Sequence, residues 1–195
     1  LNLITLHLGN GASAAAIQNG RCIDTSMGFT PLEGLVMGSR SGDLDPAISL
    51  HMAHVSGMDW QSLEQALNHA SGLKGLAGVS DMREILQRAA AGDAAAKLAL
   101  DVYCYRIKKY IGAYYAVLGR IDALVFTAGV GENAAQVRSQ ACAGLECLGI
   151  AIDAAKNTQA LDESASIQQS GQGVAVLVIR TNEELQIARE VRALL

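Results

Sequence analysis

Over the first twenty-five residues, apolar and polar side chains follow the short period of β-strands. Ile4, Leu6 and Leu8, separated by Thr5 and His7, predict a first strand that ends in the turn Gly9-Asn10-Gly11. Ala12 to Ile17 predicts a second strand. Asn19-Gly20 predicts a hairpin turn, because both central positions of a type I′ turn need positive φ. Cys22 to Thr25 completes the meander. The second strand carries Ser13, Ala14, Ala15 and Ala16, which offer little packing volume, so another part of the structure must come close to it.

From Ser26 to Asp45 the periodicity is lost and glycines recur; so long a stretch without its own period is commonly functional. Helical patterning follows. Asp45-Pro46 predicts a helix start, with Asp as N-cap and Pro in the first turn. Asp59 opens a second helix reaching about His69, closed by Ser71-Gly72. Asp81 to Ala90 predicts a third, with Asp81 and Glu84 placed as a capping pair, and Asp93 to Leu118 a long fourth. Ala123 to Thr127 reads as a buried strand, followed by a glycine turn at 129–133 and a helix to about Leu148. A short strand near Ile150 to Asp153, a polar loop, a strand from Val174 to Ile179 and a helix from Asn182 complete the pattern. A meander followed by alternating helices and strands predicts a mixed α/β fold around one central sheet.

Composition narrows the function. Half of the residues are apolar and 17% are charged, which marks a globular chain. Net charge is −4 with no long run of Lys or Arg, which argues against a nucleic-acid partner. The group Arg106, Lys108 and Lys109 fits a solvated helix face. The longest apolar stretch, Val174 to Ile179, is too short to span a membrane. Cys22, Cys104, Cys142 and Cys147 have neither C-x-x-C nor zinc spacing, and no secretion signal opens the chain, so a cytoplasmic location is expected. His51 and His54 stand i, i+3 on a helix without a third ligand, which predicts no metal there. Leu1 falls directly within a strand pattern, and the expectation is that upstream sequence has been cut away.

Three glycine- or acid-bearing turns follow strands. In His7-Leu8-Gly9-Asn10-Gly11, a turn poor in Cβ atoms can expose backbone N–H groups to phosphate oxygens, or can simply be an efficient turn. Gly129-Val130-Gly131-Glu132-Asn133 lies between a strand and a helix N-terminus, where the backbone can approach a nucleotide closely. Gly129, Gly131 and Ala134 also match the G-x-G-x-x-A dinucleotide fingerprint, with Asp153 about twenty residues later. An NAD-binding unit would begin with that turn, whereas here a meander and several helices precede it. In Arg180-Thr181-Asn182-Glu183-Glu184, the carboxylates complement the helix dipole and can also serve a hard cation such as Mg²⁺. Arg40, in Met37-Gly38-Ser39-Arg40-Ser41-Gly42, suits bidentate contact with a phosphoryl group or a carboxylate. A purely structural Arg40 would instead bridge Asp43 or Asp45. Neither a Walker A motif nor a kinase H-R-D motif is present.

Taken together and in this order, His7-Leu8-Gly9-Asn10-Gly11-Ala12-Ser13, the stretch from Asp24 to Gly34, Met37 to Gly42, Gly129 to Asn133 and Thr181 to Glu184 resemble the acetate kinase family from Leu1 to Leu195. The resemblance implies the ribonuclease H-like fold shared by sugar kinases, the Hsp70 ATPase domain and actin, with residues 1–195 as the C-terminal nucleotide-binding domain of a two-domain kinase. It implies reversible phosphoryl transfer between ATP and a short-chain carboxylate, acetate first, with Mg²⁺ or Mn²⁺, in a cytoplasmic homodimer formed through this half. By the same resemblance His7, Leu8, Gly9, Asn10 and Gly11 hold the ATP phosphates. Asp81, Met82 and Arg83 line the adenosine pocket from one side, and Gly129, Val130, Gly131, Glu132 and Asn133 from the other. Arg40 stabilises the transferring phosphoryl group, and Glu183 serves the metal. The family's N-terminal domain supplies further groups around metal and acceptor, so this chain alone is expected to bind nucleotide weakly and not to catalyse. A non-catalytic actin-like nucleotide-binding module is the alternative.

Overall fold

The computed structural model describes residues 1–159 and 163–194. Strands β1 (Asn2–Leu8), β2 (Ala12–Gln18) and β3 (Arg21–Thr25) form the expected meander, and Asn19 and Gly20 both take positive φ, 51° and 81°. With β4 (Ala123–Thr127), β5 (Ser164–Ser166) and β6 (Ala175–Ile179) they build one six-stranded sheet in the order β3-β2-β1-β4-β6-β5. The β1–β2, β2–β3 and β5–β6 pairs are antiparallel; β1–β4 and β4–β6 are parallel. The mixed α/β expectation is borne out.

Helices α1 (Pro46–Ser56), α2 (Trp60–His69), α4 (Met82–Ala90) and α5 (Ala94–Leu118) start where the aspartates placed them. Asp45, Asp59, Asp81 and Asp93 each accept an N–H from the first turn with a side-chain oxygen, at 2.9, 2.7, 2.9 and 2.9 Å. Such caps satisfy donors that a helix leaves open. Glu84 lies 3.8 Å from Arg88 on the same helix.

The alanine-rich strand explains the packing. Ile4, Leu6 and Leu8 of β1 lie opposite Ala16, Ala14 and Ala12 of β2 and share one buried face with them. Helix α5 packs against β1 and β2, and its buried stripe includes Tyr103, Ile107, Ile111, Tyr114 and Leu118. Side chains of one carbon on β2 let this large-residue helix approach the sheet. β4 is buried over four successive residues, as a strand flanked by parallel neighbours should be.

Several expectations need correction. Ser71-Gly72 does not merely end a helix: α3 (Gly72–Ala77) begins there, and its Leu73 and Lys74 amides donate to the carbonyls of Met37 and Gly38. A tertiary contact, not a side-chain cap, starts that helix. The segment 129–133 is not a turn but part of a short helix, α6 (Ala128–Asn133). The helix expected to reach Leu148 is α7 (Ala135–Cys142) and a 3₁₀ turn at Glu146–Leu148, interrupted at Gly144, whose φ is +77°. The strand at Ile150 to Asp153 shrinks to one bridge, Ile152 to Gln168. The polar loop contains α8 (Ala154–Thr158) and β5; residues 160–162 of that loop lie outside the described residues. The last helix, α9, spans Glu183–Leu194.

Candidate functional site

Parallel pairing gathers segments that are far apart in sequence. β1, β4 and β6 are neighbours running the same way, so the segments after their carboxyl ends come to one edge of the sheet: 9–11, 128–133 and 181–184. Open α/β sheets place ligands at this edge. A cavity of about 550 Å³ opens there, a volume suited to a ligand of nucleotide size. Gly9, Asn10 and Gly38 line it on one side, Ser80, Asp81, Met82 and Arg83 on another, and Gly129, Val130, Asn133 and Ala134 on a third.

The loop that carries Arg40 is fixed on both flanks. Gly38 N–H donates to Asn10 O at 3.0 Å, tying it to the first turn. Ser71 N donates to Ser39 O, Ser41 N to Leu67 O, and Ser39 Oγ to Asn68 O, tying it to α2 and α3. Gly72, at φ +59°, leaves the room this needs: a Cβ there would stand 2.2 Å from Met37 O and 2.5 Å from Arg40 O. Asp43 anchors the loop's end. Its carboxylate meets Arg106 of α5 at 2.9 Å and accepts the Tyr110 hydroxyl at 3.0 Å.

Arg40 therefore bridges neither Asp43 nor Asp45, because Asp43 is taken by α5 and Asp45 caps α1. Among the described residues Arg40 pairs with no carboxylate; its Nη1 donates to Pro31 O at 3.2 Å and lies 3.6 Å from Met37 Sδ. The same nitrogen would be 3.4 Å from a Cβ on Gly11, so the guanidinium lies against the first turn. Within that turn Gly9 N–H donates to Gly11 O at 2.9 Å, so Gly9 spends its amide internally and no uninterrupted row of free amides begins there. Leu8 points into the core, while His7 is half-buried on the other face of β1.

The remaining candidates divide. Asp81 caps α4, and its carboxylate meets the exposed Arg83 guanidinium at 2.6 Å; the hydrogen bonds from Arg83 hold the Asp81 carboxyl down at about 2. Met82 is buried. In α6, Ala128 takes φ +64°, a left-handed conformation rare for a residue with a Cβ, and turns the chain sharply out of β4. Gly129, Val130 and Asn133 line the cavity, and Asn133 Nδ2 donates to Gly129 O at 2.8 Å. Gly131 and Glu132 do not line it. Gly131 faces the sheet, where a Cβ would meet Phe126 C at 3.4 Å, and Glu132 Oε1 accepts Thr181 N–H at 3.0 Å. The Cα hydrogens of Gly131 thus meet the sheet and not the cavity, at distances where a Cβ would make ordinary contacts.

Arg138 was not anticipated. It is 2% exposed, and Nη1 donates to Gly131 O and Glu132 O at 2.8 and 2.9 Å. Nε and Nη2 donate to the side-chain and backbone oxygens of Asn157, each at 2.7 Å. A buried guanidinium satisfied by neutral oxygens thus clamps α6 to α8. A signal existed in the sequence: Ala134, Val137, Arg138, Ala141 and Cys142 form one helical stripe, and an arginine on an apolar stripe needs buried partners.

Glu183 and Glu184 stand exposed in the first turn of α9, and Asn182 Oδ1 accepts Leu185 N–H at 3.0 Å. Among the described residues no group of three or more His, Cys, Asp or Glu gathers to hold a metal. Asp153, the residue an NAD reading needs, caps α8 through Lys156 N–H at 3.0 Å, and the sheet is not the all-parallel array of a dinucleotide fold. No helix is long and apolar enough to cross a membrane among the described residues.

Sheet order and cleft together define a mixed α/β domain whose candidate site opens beyond three parallel strands. The chain belongs to the acetokinase family, whose model matches residues 1–189. It is 58% identical over 194 residues to an acetate kinase of Streptomyces avermitilis, which covers 100% of this chain and 48% of that protein. It is 56% identical over 189 residues to an acetate kinase of Syntrophobacter fumaroxidans, covering 97% and 46%. The crystal structure of Porphyromonas gingivalis acetate kinase superposes with a TM-score of 0.94 at 42% identity, covering 98% of this chain and 48% of that one. A propionate kinase from Francisella tularensis superposes at 0.91 with 45% identity, covering 97% and 48%. The chain thus spans about half the length of the curated relatives it matches.

Proposed function

We propose that this chain is the nucleotide-binding half of a two-domain kinase that reversibly transfers the γ-phosphoryl group of ATP to a short-chain carboxylate, acetate first, giving an acyl phosphate and ADP. The observation that carries this reading is Arg40: a guanidinium without a carboxylate partner among the described residues, fixed in a doubly anchored loop and lying against Gly11 at the edge of the cavity. A cation so placed is preorganised for charge that develops during phosphoryl transfer. Family membership and the kinases named among its relatives support the same reading.

The chemistry asks little covalent work of the protein. An acceptor carboxylate oxygen attacks the γ-phosphorus in line, and the bond to the β–γ bridging oxygen breaks. Asn10 and Gly11 orient the phosphates, and Arg40 neutralises the equatorial oxygens. Asp81, Met82, Arg83, Gly129, Val130 and Asn133 hold the nucleoside in the cavity, while Glu132 acts through Thr181. Glu183 would hold the Mg²⁺ that accompanies the phosphates, which would supply further charge neutralisation. The free cysteines fit a reducing cytoplasm, and the exposed Ile48, Leu50 and Val55 of α1 fit a homodimer formed through this half. A hydroxamate assay of the two-domain enzyme with formate, acetate, propionate and butyrate tests the reading. Acceptor-dependent acyl phosphate is expected; ATP binding without it would favour an actin-like module.

A further inference from the structure

Tyr103 of α5 is 1% exposed, and its hydroxyl oxygen has no hydrogen-bond partner among the described residues. Buried hydroxyls nearly always find a partner, and phenylalanine would fill the same space without an unsatisfied group, so the oxygen calls for a reason. The residue belongs to the wall of the cavity described above. Around it that wall is apolar, made of Leu73, Met82, Leu86, Val130 and Ala134. A flat heteroaromatic base fits such a wall, whereas phosphates belong at the other end beside Asn10, Gly11 and Arg40.

We propose that the Tyr103 hydroxyl recognises the base, donating a hydrogen bond to a ring nitrogen of the nucleotide seated against the apolar wall. This rests on the nucleotide reading of the cavity. Among cavity-lining side chains, Asn133 donates to Gly129 O and Asp81 is engaged by Arg83, so neither is free in the way Tyr103 is. Burial pushes the phenol's ionisation far above neutral, so the hydroxyl keeps the proton it donates.

The test compares wild type and Tyr103→Phe in the two-domain enzyme by calorimetric titration with ADP and with inorganic tripolyphosphate, alongside melting of the unliganded proteins. Tyr103→Phe should weaken ADP about three- to tenfold, the loss of one neutral hydrogen bond. Tripolyphosphate affinity should be unchanged, and the unliganded Tm unchanged or higher. Equal ADP affinity in the variant, or parallel weakening of tripolyphosphate, would overturn the assignment. A second arm needs no substitution: an ADP analogue with the bonded ring nitrogen replaced by CH should lose the same factor on wild type. Parity of every such analogue with ADP would also overturn it. Absence of ADP binding by the wild type would remove the nucleotide reading itself, and the inference with it.

Discussion

Gly38 and Asn10 approach so closely that a Cβ on Gly38 would fall 2.1 Å from Asn10 Oδ1, while the Gly38 amide donates to Asn10 O at 3.0 Å. The loop bearing Arg40 and the first turn are thereby locked in register. Gly38→Ala must displace the Asn10 side chain, and displacements of about 1 Å at a reacting centre can cost about 10²-fold in rate. Acyl phosphate formation by the two-domain enzyme should fall by about that factor while the protein remains folded; full activity would mean that the register does not matter.

Gly131→Val tests which way Gly131 faces. Its side chain would meet Phe126, Leu6 and Leu8, not the cavity. Overpacking there should cost about 1–3 kcal/mol of stability in urea unfolding, with ADP affinity of the folded protein little changed. A variant of normal stability that has lost ADP would restore the glycine to the nucleotide face.

Arg138→Met should remove about 3 kcal/mol or more, because four oxygens of α6 and α8 lose their donor inside the protein. Arg138→Lys should recover only part, since an ammonium cannot span both helices as the planar fork does. Thermal melting checks this, and a wild-type Tm in the methionine variant would contradict it.

How far these features could be read from sequence depends on the range of the forces that set them. The meander, its Asn19-Gly20 turn and the four aspartate caps are local, and they stand where the chain places them. α3 escaped because its first amides are satisfied by Met37 and Gly38, more than thirty residues earlier in the chain. α6 looked like a turn because glycine normally weakens helices; here Gly131 lies within one and faces β1 and β4. Of the candidate residues, the cavity gathers Gly9, Asn10, Asp81, Met82, Arg83, Gly129, Val130 and Asn133. Leu8, Gly131 and Glu132 share motifs with them but turn to the core or to Thr181. A motif fixes which residues travel together, and only the pleat and the helical turn decide which of them face the cleft.

Asp81 carries a pH signature. Hydrogen bonds from Arg83 lower its carboxyl from 3.8 to about 2, so the folded state binds this proton more weakly than the unfolded chain. Its contribution to stability is fully present above about pH 5 and is lost as pH falls through about 4 toward 2. Carboxyl NMR should show a midpoint near 2, and Arg83→Ala should move it back toward the ordinary aspartate range. An Asp81 midpoint already near 4 in the wild type would remove the Arg83 interaction from solution.

Neutralisation of the phosphoryl group in flight by Arg40 is read from kcat and ADP affinity of Arg40→Ala in the two-domain enzyme. Among the described residues the Arg40 side chain bonds only Pro31 O and Met37 Sδ, while Asp43, Arg106 and Tyr110 keep the end of the loop in place without it. That role predicts a fall in kcat of about 10²–10³-fold with ADP affinity and Tm nearly intact, and little rescue by Arg40→Lys. Near-normal kcat in the purified, folded Arg40→Ala enzyme would contradict it.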